Sequence, residues 1–382
     1  DKSDLMLSSS SSNVSPLSSS TSSSIFSSIS SASSRSFPNL IDPHHVAVLR
    51  TAAADLFRRS VGGDALAAQY CFLQTLSRVT HRADDHGLGC VILNLTHCHP
   101  SPFPSSQSPS HPLALSLQAA FTQVAPLCHL LPLNLAYVND ASTPHWQSSR
   151  SLRWERTRFS PLQLPLGCLL VMDETGMTTG RLTAKGAASL RTAKTLLDTQ
   201  VLKYDFSYGR KGGAEDGEDR DGVTNGMTNG IDPSQELSVP VDVTPVILSV
   251  ERSILRNDAH VVLPWNPISA IPSPEDLRIY STSCSKGHHQ LWPRIRAYLA
   301  TVRELPYIIP KGMEAILEQY FVRQRQESAA ARSEFTPERF ATLLSLARLH
   351  TLSFGETELT EKRWAEVLDL EHQRLARLRA TK

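Results

Sequence analysis

One stretch of this chain leaves little freedom in how it folds. Leu162-Gln163-Leu164-Pro165-Leu166-Gly167-Cys168-Leu169-Leu170-Val171-Met172-Asp173-Glu174-Thr175 is apolar until it meets two carboxylates. A short continuous apolar run suits a strand buried on both faces, as in a parallel sheet covered by helices. The acidic pair has the layout of a Walker B strand, where the Asp orders Mg²⁺ and the Glu polarises the attacking water. Such a strand needs a partner loop, G-x-x-x-x-G-K-[ST], whose amides and Lys hold the phosphates. The chain contains no such motif. Its nearest equivalent is Val61-Gly62-Gly63-Asp64-Ala65-Leu66-Ala67-Ala68-Gln69-Tyr70, between two helical stretches. Aligned on Gly63 and Asp64, Gln69 takes the place of the Lys and Tyr70 that of the Mg²⁺-binding hydroxyl. A neutral amide does not neutralise a triphosphate, and a Tyr ring fills the space of a small hydroxyl.

Length and charge narrow the classes further. The 382 residues suffice for two or three domains. Lys and Arg number 38 against 37 Asp and Glu, so no global field favours nucleic acid and a local patch would be needed. The six cysteines are scattered without CxxC pairs, which fits a reducing compartment. No apolar run approaches membrane-spanning length and no secretory signal is evident, so no membrane association is expected. The chain begins at Asp1 rather than Met, which leaves room for an upstream part.

The pattern along the chain alternates strand and helix. Residues 1–39 are Ser-rich and read as disordered, since they hold too little apolar surface to offset ordering. Helical periodicity runs from His45 to Arg59 and from Ala65 to Val79. Cys90 to Leu95 reads as a strand, Leu113 to Leu127 as a helix, and the stretch around Leu131 to Val138 as another strand. After the acidic pair come a helix over Ala187 to Thr199 and an extended segment from Gln200 to Tyr208. Residues 209–236 read as a disordered acidic, Gly-rich insertion, and Val239 to Val250 as a strand. From about Cys284 the character is helical: Leu291 to Arg303, Lys311 to Gln326, Thr336 to Leu349 and Glu361 to Arg379. The expected fold is α/β, a three-layer core with a mostly parallel sheet over 40–283, followed by a helical unit over 284–382.

Several stretches resemble the mini-chromosome maintenance complex-binding protein family. They are Gly63 to Tyr70, Leu162-Gln163-Leu164-Pro165, Met172-Asp173-Glu174-Thr175, and Gln200 to Tyr208 with its Tyr204-Asp205-Phe206-Ser207-Tyr208. Two more are Leu346-Ala347-Arg348-Leu349-His350-Thr351-Leu352-Ser353 with Gly355, and Leu359-Thr360-Glu361-Lys362-Arg363-Trp364. Their order and spacing agree from about residue 40 onward. The Ser-rich start, the His99–Pro112 loop and the 209–236 insertion depart from the family, and its N-terminal region is not visible in this sequence.

The resemblance implies an AAA+-like core with a helical lid, related to the helicase subunits themselves. It also implies a degenerate nucleotide site with Gly63, Asp64, Gln69, Tyr70, Asp173, Glu174 and Glu338 as its remnants. Glu338 follows Thr336 where a helicase lid carries its sensor Arg, a reversal of charge, and Arg339 would point to another face of the helix. No catalytic residue, metal or cofactor is expected. The implied function is non-enzymatic: binding to helicase subunits in the nucleus, control of their assembly and their removal from chromatin, and a link to sister chromatid cohesion. Contact with chromatin would be indirect.

Other clusters have plainer readings beside sharper ones. Asp173 and Glu174 could form an ordinary strand end, with Asp173 holding a helix N-terminus or a loop amide. His97-Cys98-His99, and Cys284 with His288-His289, lack the second close pair that structural zinc requires. His81 and His86 fall in a polar loop. Arg150, Arg153, Arg156 and Arg158 interleave with Trp154 and Phe159, a pattern that grips nucleic acid or, more often, faces solvent or an acidic protein. Arg374, Arg377, Arg379 and Lys382 sit where cations suit the helix dipole. Trp364, Val367, Leu368, Leu375 and Leu378 form a stripe that is either lid core or interface. A residual ATPase would need a Lys from elsewhere, such as Lys185 or Lys194, and a DNA adaptor would use the Arg150–Arg158 segment.

Overall fold

The computed structural model describes residues 43–83, 86–99, 110–140, 146–151, 156–205, 237–256, 259–285, 291–326 and 335–381. The Ser-rich segment 1–39 and the insertion 209–236 lie outside them.

Two helices open the fold, α1 (Pro43–Ser60) and α2 (Ala65–Gln74), followed by a small hairpin, β1 (His81–Ala83) and β2 (His86–Leu88). Next come β3 (Leu93–Thr96), α3 (Pro112–Val124), β4 (Cys128–Pro132) and the short α4 (Leu135–Asn139). The expected strand to Val138 therefore stops at Pro132. Asn134 accepts the Tyr137 N–H at 2.7 Å and caps a helix instead, an Asx signal that the apolar pattern masks. A second hairpin, β5 (Ser148–Ser151) and β6 (Arg156–Arg158), precedes β7 (Cys168–Asp173), α5 (Ala184–Thr199) and β8 (Val201–Asp205). The Leu162–Gly167 half of the apolar run is turn rather than strand. The chain continues with β9 (Leu237–Pro240), β10 (Val243–Leu248) and β11 (Val261–Pro264), then, among the described residues, five helices: α6 (Pro274–Ser285), α7 (Leu291–Glu304), α8 (Lys311–Gln326), α9 (Pro337–Leu352) and α10 (Glu361–Ala380).

The central sheet has five parallel strands in the order β11-β3-β10-β7-β4. Numbered by sequence, these strands run 5-1-4-3-2, the order of an AAA+-like core. Burial on both faces follows the period of two. Leu169 and Val171 point into one apolar cluster, Leu170 and Met172 into the other. The first cluster joins the sheet to α1, α2, α3 and the C-terminal helices, and the second to α5. That gives the three layers expected from the sequence. Pro245 is tolerated inside β10 because the β3 ladder begins at Val246, just beyond it.

The residues read as one strand, Val239 to Val250, split between two sheets. β9 belongs to a four-stranded sheet ordered β6-β5-β8-β9, and the break at Val241-Asp242 lets β10 enter the central one. Helix α6 crosses the expected boundary at residue 284. The last helices share the core of α1–α3: Trp292, Ile295, Tyr298, Leu346, Trp364 and Val367 lie in the same buried cluster as Phe57, Phe72 and Phe121.

Candidate functional site

β7 ends at Asp173, at the carboxyl edge of the sheet, where open α/β folds place their ligands. Asp173 is 2% exposed. Its Oδ2 accepts the backbone N–H of His111 at 2.7 Å, and its Oδ1 accepts the N–H and the hydroxyl of Thr175 at 3.1 and 2.6 Å. Glu174 beside it is also buried and accepts from the Ser253 hydroxyl and Ile254 N–H, each at 2.9 Å, and from Leu255 N–H at 3.3 Å. Burial pushes the Glu174 carboxyl up, those hydrogen bonds pull against it, and Asp173 adds to the rise. Both carboxylates are thus bound to the chain's own backbone, Asp173 to a helix N-terminus and Glu174 to the loop after β10.

His111 explains how the helix N-terminus is closed. It caps α3, its Nδ1 accepting the Leu113 N–H at 3.1 Å, and Pro112 at the first helical position brings no N–H. Its Nε2 lies 2.9 Å from the His99 carbonyl, and its ring stands edge-on to Trp265. The amides that would meet an anion at this terminus are taken by a carboxylate and an imidazole. His111 was not singled out from the sequence. The signal was there: His-Pro immediately before an apolar run of helical period.

The element order places Gly63 and Asp64 apart from the segment that a phosphate loop occupies. A phosphate loop leaves the first strand and enters a helix. In this fold the chain between β3 and α3 holds that place, and residues 100–109 of it lie outside the described residues. Gly63 and Asp64 instead join α1 to α2, before the first strand, so Gln69 and Tyr70 do not stand where a Lys and a hydroxyl would meet phosphates. Gly62 and Gly63 turn with φ of +68° and +85°, and the Gly62 carbonyl accepts from Ile268 and Ser269 beyond the end of β11. Asp64, 1% exposed, caps α2 through Leu66 and Ala67 N–H and also accepts from Asn266 N–H at 3.0 Å. Arg377 of α10 completes its shell at 2.6 Å. Tyr70 donates to Glu371 at 3.4 Å, and burial pushes its hydroxyl pKa up. Gln69 lies half-buried on α2.

The C-terminal arginines do more than suit a dipole. Arg374 is buried, doubly bonded to Glu371 at 2.6 and 2.7 Å, and donates to the Val262 carbonyl at 2.7 Å. Arg377 also reaches the Pro264 carbonyl, so two guanidinium groups cover the open edge of β11. Arg339 pairs with Glu371 at 3.5 Å, on another face from Glu338 as the spacing required. Glu338 is exposed in the first turn of α9, held by its own N–H and the Thr336 hydroxyl, which draw its pKa down. Trp364 and Val367 of the C-terminal stripe are core, Trp364 packing edge-on to Tyr320.

The remaining clusters are dispersed. Cys98 is buried, and His97 adopts a left-handed backbone at φ 63°. Among the described residues no three His, Cys, Asp or Glu side chains group as metal ligands. His288 and His289 lie outside the described residues, as do Arg153 and Trp154. His81 and His86 lie on the β1–β2 hairpin, and Arg150, Arg156 and Arg158 on β5 and β6. Lys185 donates to the Asp140 carbonyl, and Lys194 is exposed on α5. No described helix is long and apolar enough to cross a membrane.

A family model described as mini-chromosome maintenance replisome factor matches residues 7–212 and 235–378. The chain belongs to that family. Three relatives, each named mini-chromosome maintenance complex-binding protein, are similar to this chain. The Arabidopsis thaliana protein is 27% identical over 84% of this chain and 45% of its own length. The Danio rerio protein is 26% identical over 88% and 46%, and the Homo sapiens protein 27% over 84% and 43%. The chain thus spans less than half the length of these relatives.

Proposed function

We propose that the chain is a non-enzymatic regulator of DNA replication that binds mini-chromosome maintenance helicase subunits in the nucleus. It controls their assembly and their removal from chromatin, with a link to sister chromatid cohesion. One observation carries the non-enzymatic part: the Asp173 carboxylate sits on the His111 amide. A nucleotide-binding relative needs that carboxylate for metal and that helix terminus for phosphate, whereas here each satisfies the other. Glu174, which would polarise water, holds Ser253, Ile254 and Leu255 instead. The kinship with proteins named for binding the complex supports the choice of partner. The mechanism is mimicry. A helicase-like fold occupies a subunit's surface but withholds the nucleotide that couples one subunit to the next.

Two measurements test this reading. Titration with a fluorescent ATP analogue and Mg²⁺ should give no saturable binding at micromolar concentration; binding lost in Asp173→Ala would overturn the pseudo-ATPase reading. Co-precipitation of helicase subunits from nuclear extract should be equal for the full chain and for residues 40–382. Loss on removing the Ser-rich segment, with circular dichroism unchanged, would overturn mimicry by the folded part.

A further inference from the structure

We propose that Arg78, Arg303, Arg348 and Tyr307 form a binding site for a phosphate-class oxyanion at the amino-terminal edge of the central sheet, opposite Asp173. The position follows from the backbone that the arginines touch. Arg303 of α7 donates to the Ser77 and Gly167 carbonyls, the latter immediately before β7, and pairs with Asp242 immediately before β10. Arg348 of α9 donates to the Gly89 carbonyl at 2.9 Å, ahead of β3, and to that of Arg78 at 3.5 Å.

The charge does not balance around Arg348. It is 8% exposed, and among the described residues no carboxylate lies within ion-pair reach of it. Two guanidinium groups, Arg78 and Arg303, act on it instead. Burial and then Arg78 push its pKa down to about 10. The two nearby acids serve the other arginines: Glu304, two-thirds exposed, lies 2.5 Å from Arg78, and Asp242 lies 3.4 Å from Arg303. Tyr307 and Cys90 could offer negative charge only when ionised. Burial pushes both up to about 12, so neither does so at neutral pH. A buried guanidinium without a counter-charge is costly, which points to a charge supplied from outside.

The unmet donors are of the kind that an oxyanion takes. The Nε of Arg348, the Nε of Arg78 and the Tyr307 hydroxyl are each buried without an acceptor. Unsatisfied buried donors are rare and costly. Guanidinium groups match the spaced oxygens of a tetrahedral oxyanion, which adds geometry to charge. Arg78 and Arg303 are the more open members of the group, their side chains 26% and 20% exposed.

The test is thermal unfolding of the full chain in sodium phosphate against sodium chloride at equal ionic strength. Phosphate should raise the melting temperature saturably and chloride should not. Arg348→Met should abolish the rise. Tyr307→Phe removes only a hydroxyl, so in chloride it should be neutral or slightly stabilising, yet calorimetry should show about tenfold weaker phosphate binding. Should Arg348→Met fail to fold, the Tyr307→Phe comparison decides. Equal rises in phosphate and chloride, or an unchanged phosphate response in Tyr307→Phe, would overturn the proposal. A phosphoserine peptide forms the second arm. A larger shift than with inorganic phosphate assigns the site to a phosphorylated partner segment, and an equal shift assigns it to free phosphate; either supports the oxyanion class.

Discussion

Asp64 and Arg377 lie 313 positions apart in sequence and 2.6 Å apart in the fold. The Asp64 carboxylate caps α2, takes the Asn266 amide at the end of β11 and pairs with α10, so one side chain ties the first helices, the sheet edge and the last helix together. Asp64→Ala should lose about 3 kcal/mol of stability, the sum of a lost cap and an unpaired Arg377. Asp64→Asn keeps an acceptor for the cap and should lose roughly half as much. Urea unfolding of both variants checks the ranking.

Asp173→Ala removes the acceptor of three buried donors, the His111 amide and the two groups of Thr175. It should destabilise by about 3 kcal/mol. A residue kept for metal chemistry would give the opposite outcome in a melting experiment: relief of buried negative charge and a rise in melting temperature.

Glu174 gives a pH signature. Its folded pKa is raised above the ordinary 4.5, so its charged form is penalised in the fold at neutral pH. That penalty is full above the folded pKa and is relieved as pH falls from there toward 4.5. Relative to Glu174→Gln, the wild-type chain should therefore gain stability as pH falls through that window. Paired urea curves at neutral and mildly acid pH measure the difference.

Gly62→Ala should cost about 2 kcal/mol, because φ is +68° and the new methyl would lie 2.7 Å from the Ser269 carbonyl oxygen. Gly312, in the first turn of α8, meets nothing within 4 Å, so Gly312→Ala should stay within about 0.5 kcal/mol of wild type. Denaturant titration of the pair separates conformational strain from the general effect of removing a glycine.

Deleting residues 209–236 should shift the melting temperature by no more than a few degrees. β8 and β9 are antiparallel neighbours, with Tyr204 registered opposite Leu237, so the connection starts and ends side by side and a short turn can replace it. Differential scanning calorimetry of the deletion checks this.

The parallel sheet was legible because strands buried on both faces are written as unbroken apolar runs, as in Leu169-Leu170-Val171-Met172 and Val246-Ile247-Leu248. The long helices were legible from their 3.6-residue period, and Thr336-Pro337 and Thr360 marked two of their starts. Short elements were not. β5 and β6 hold few apolar residues in their sequence, β9 exposes most of its length, and α4 is marked by its Asn134 cap rather than by an apolar period. The acidic pair at the end of β7 was also read correctly as an Asp followed by a Glu at a strand end. What those carboxylates bind was decided by the tertiary structure. Hydrogen bonds from His111 and from Ser253 to Leu255 cross 62 to 81 positions of sequence, and no local pattern encodes such partners. The same holds for Asp64. Its Gly-Gly-Asp context suggests a phosphate loop when read alone, but the loop's identity depends on which strand precedes it. Sequence fixes periodicity and capping because these are interactions within a few residues. Only the packed fold decides which distant donor satisfies a buried carboxylate, because that choice is made by the desolvation cost of leaving it unmet.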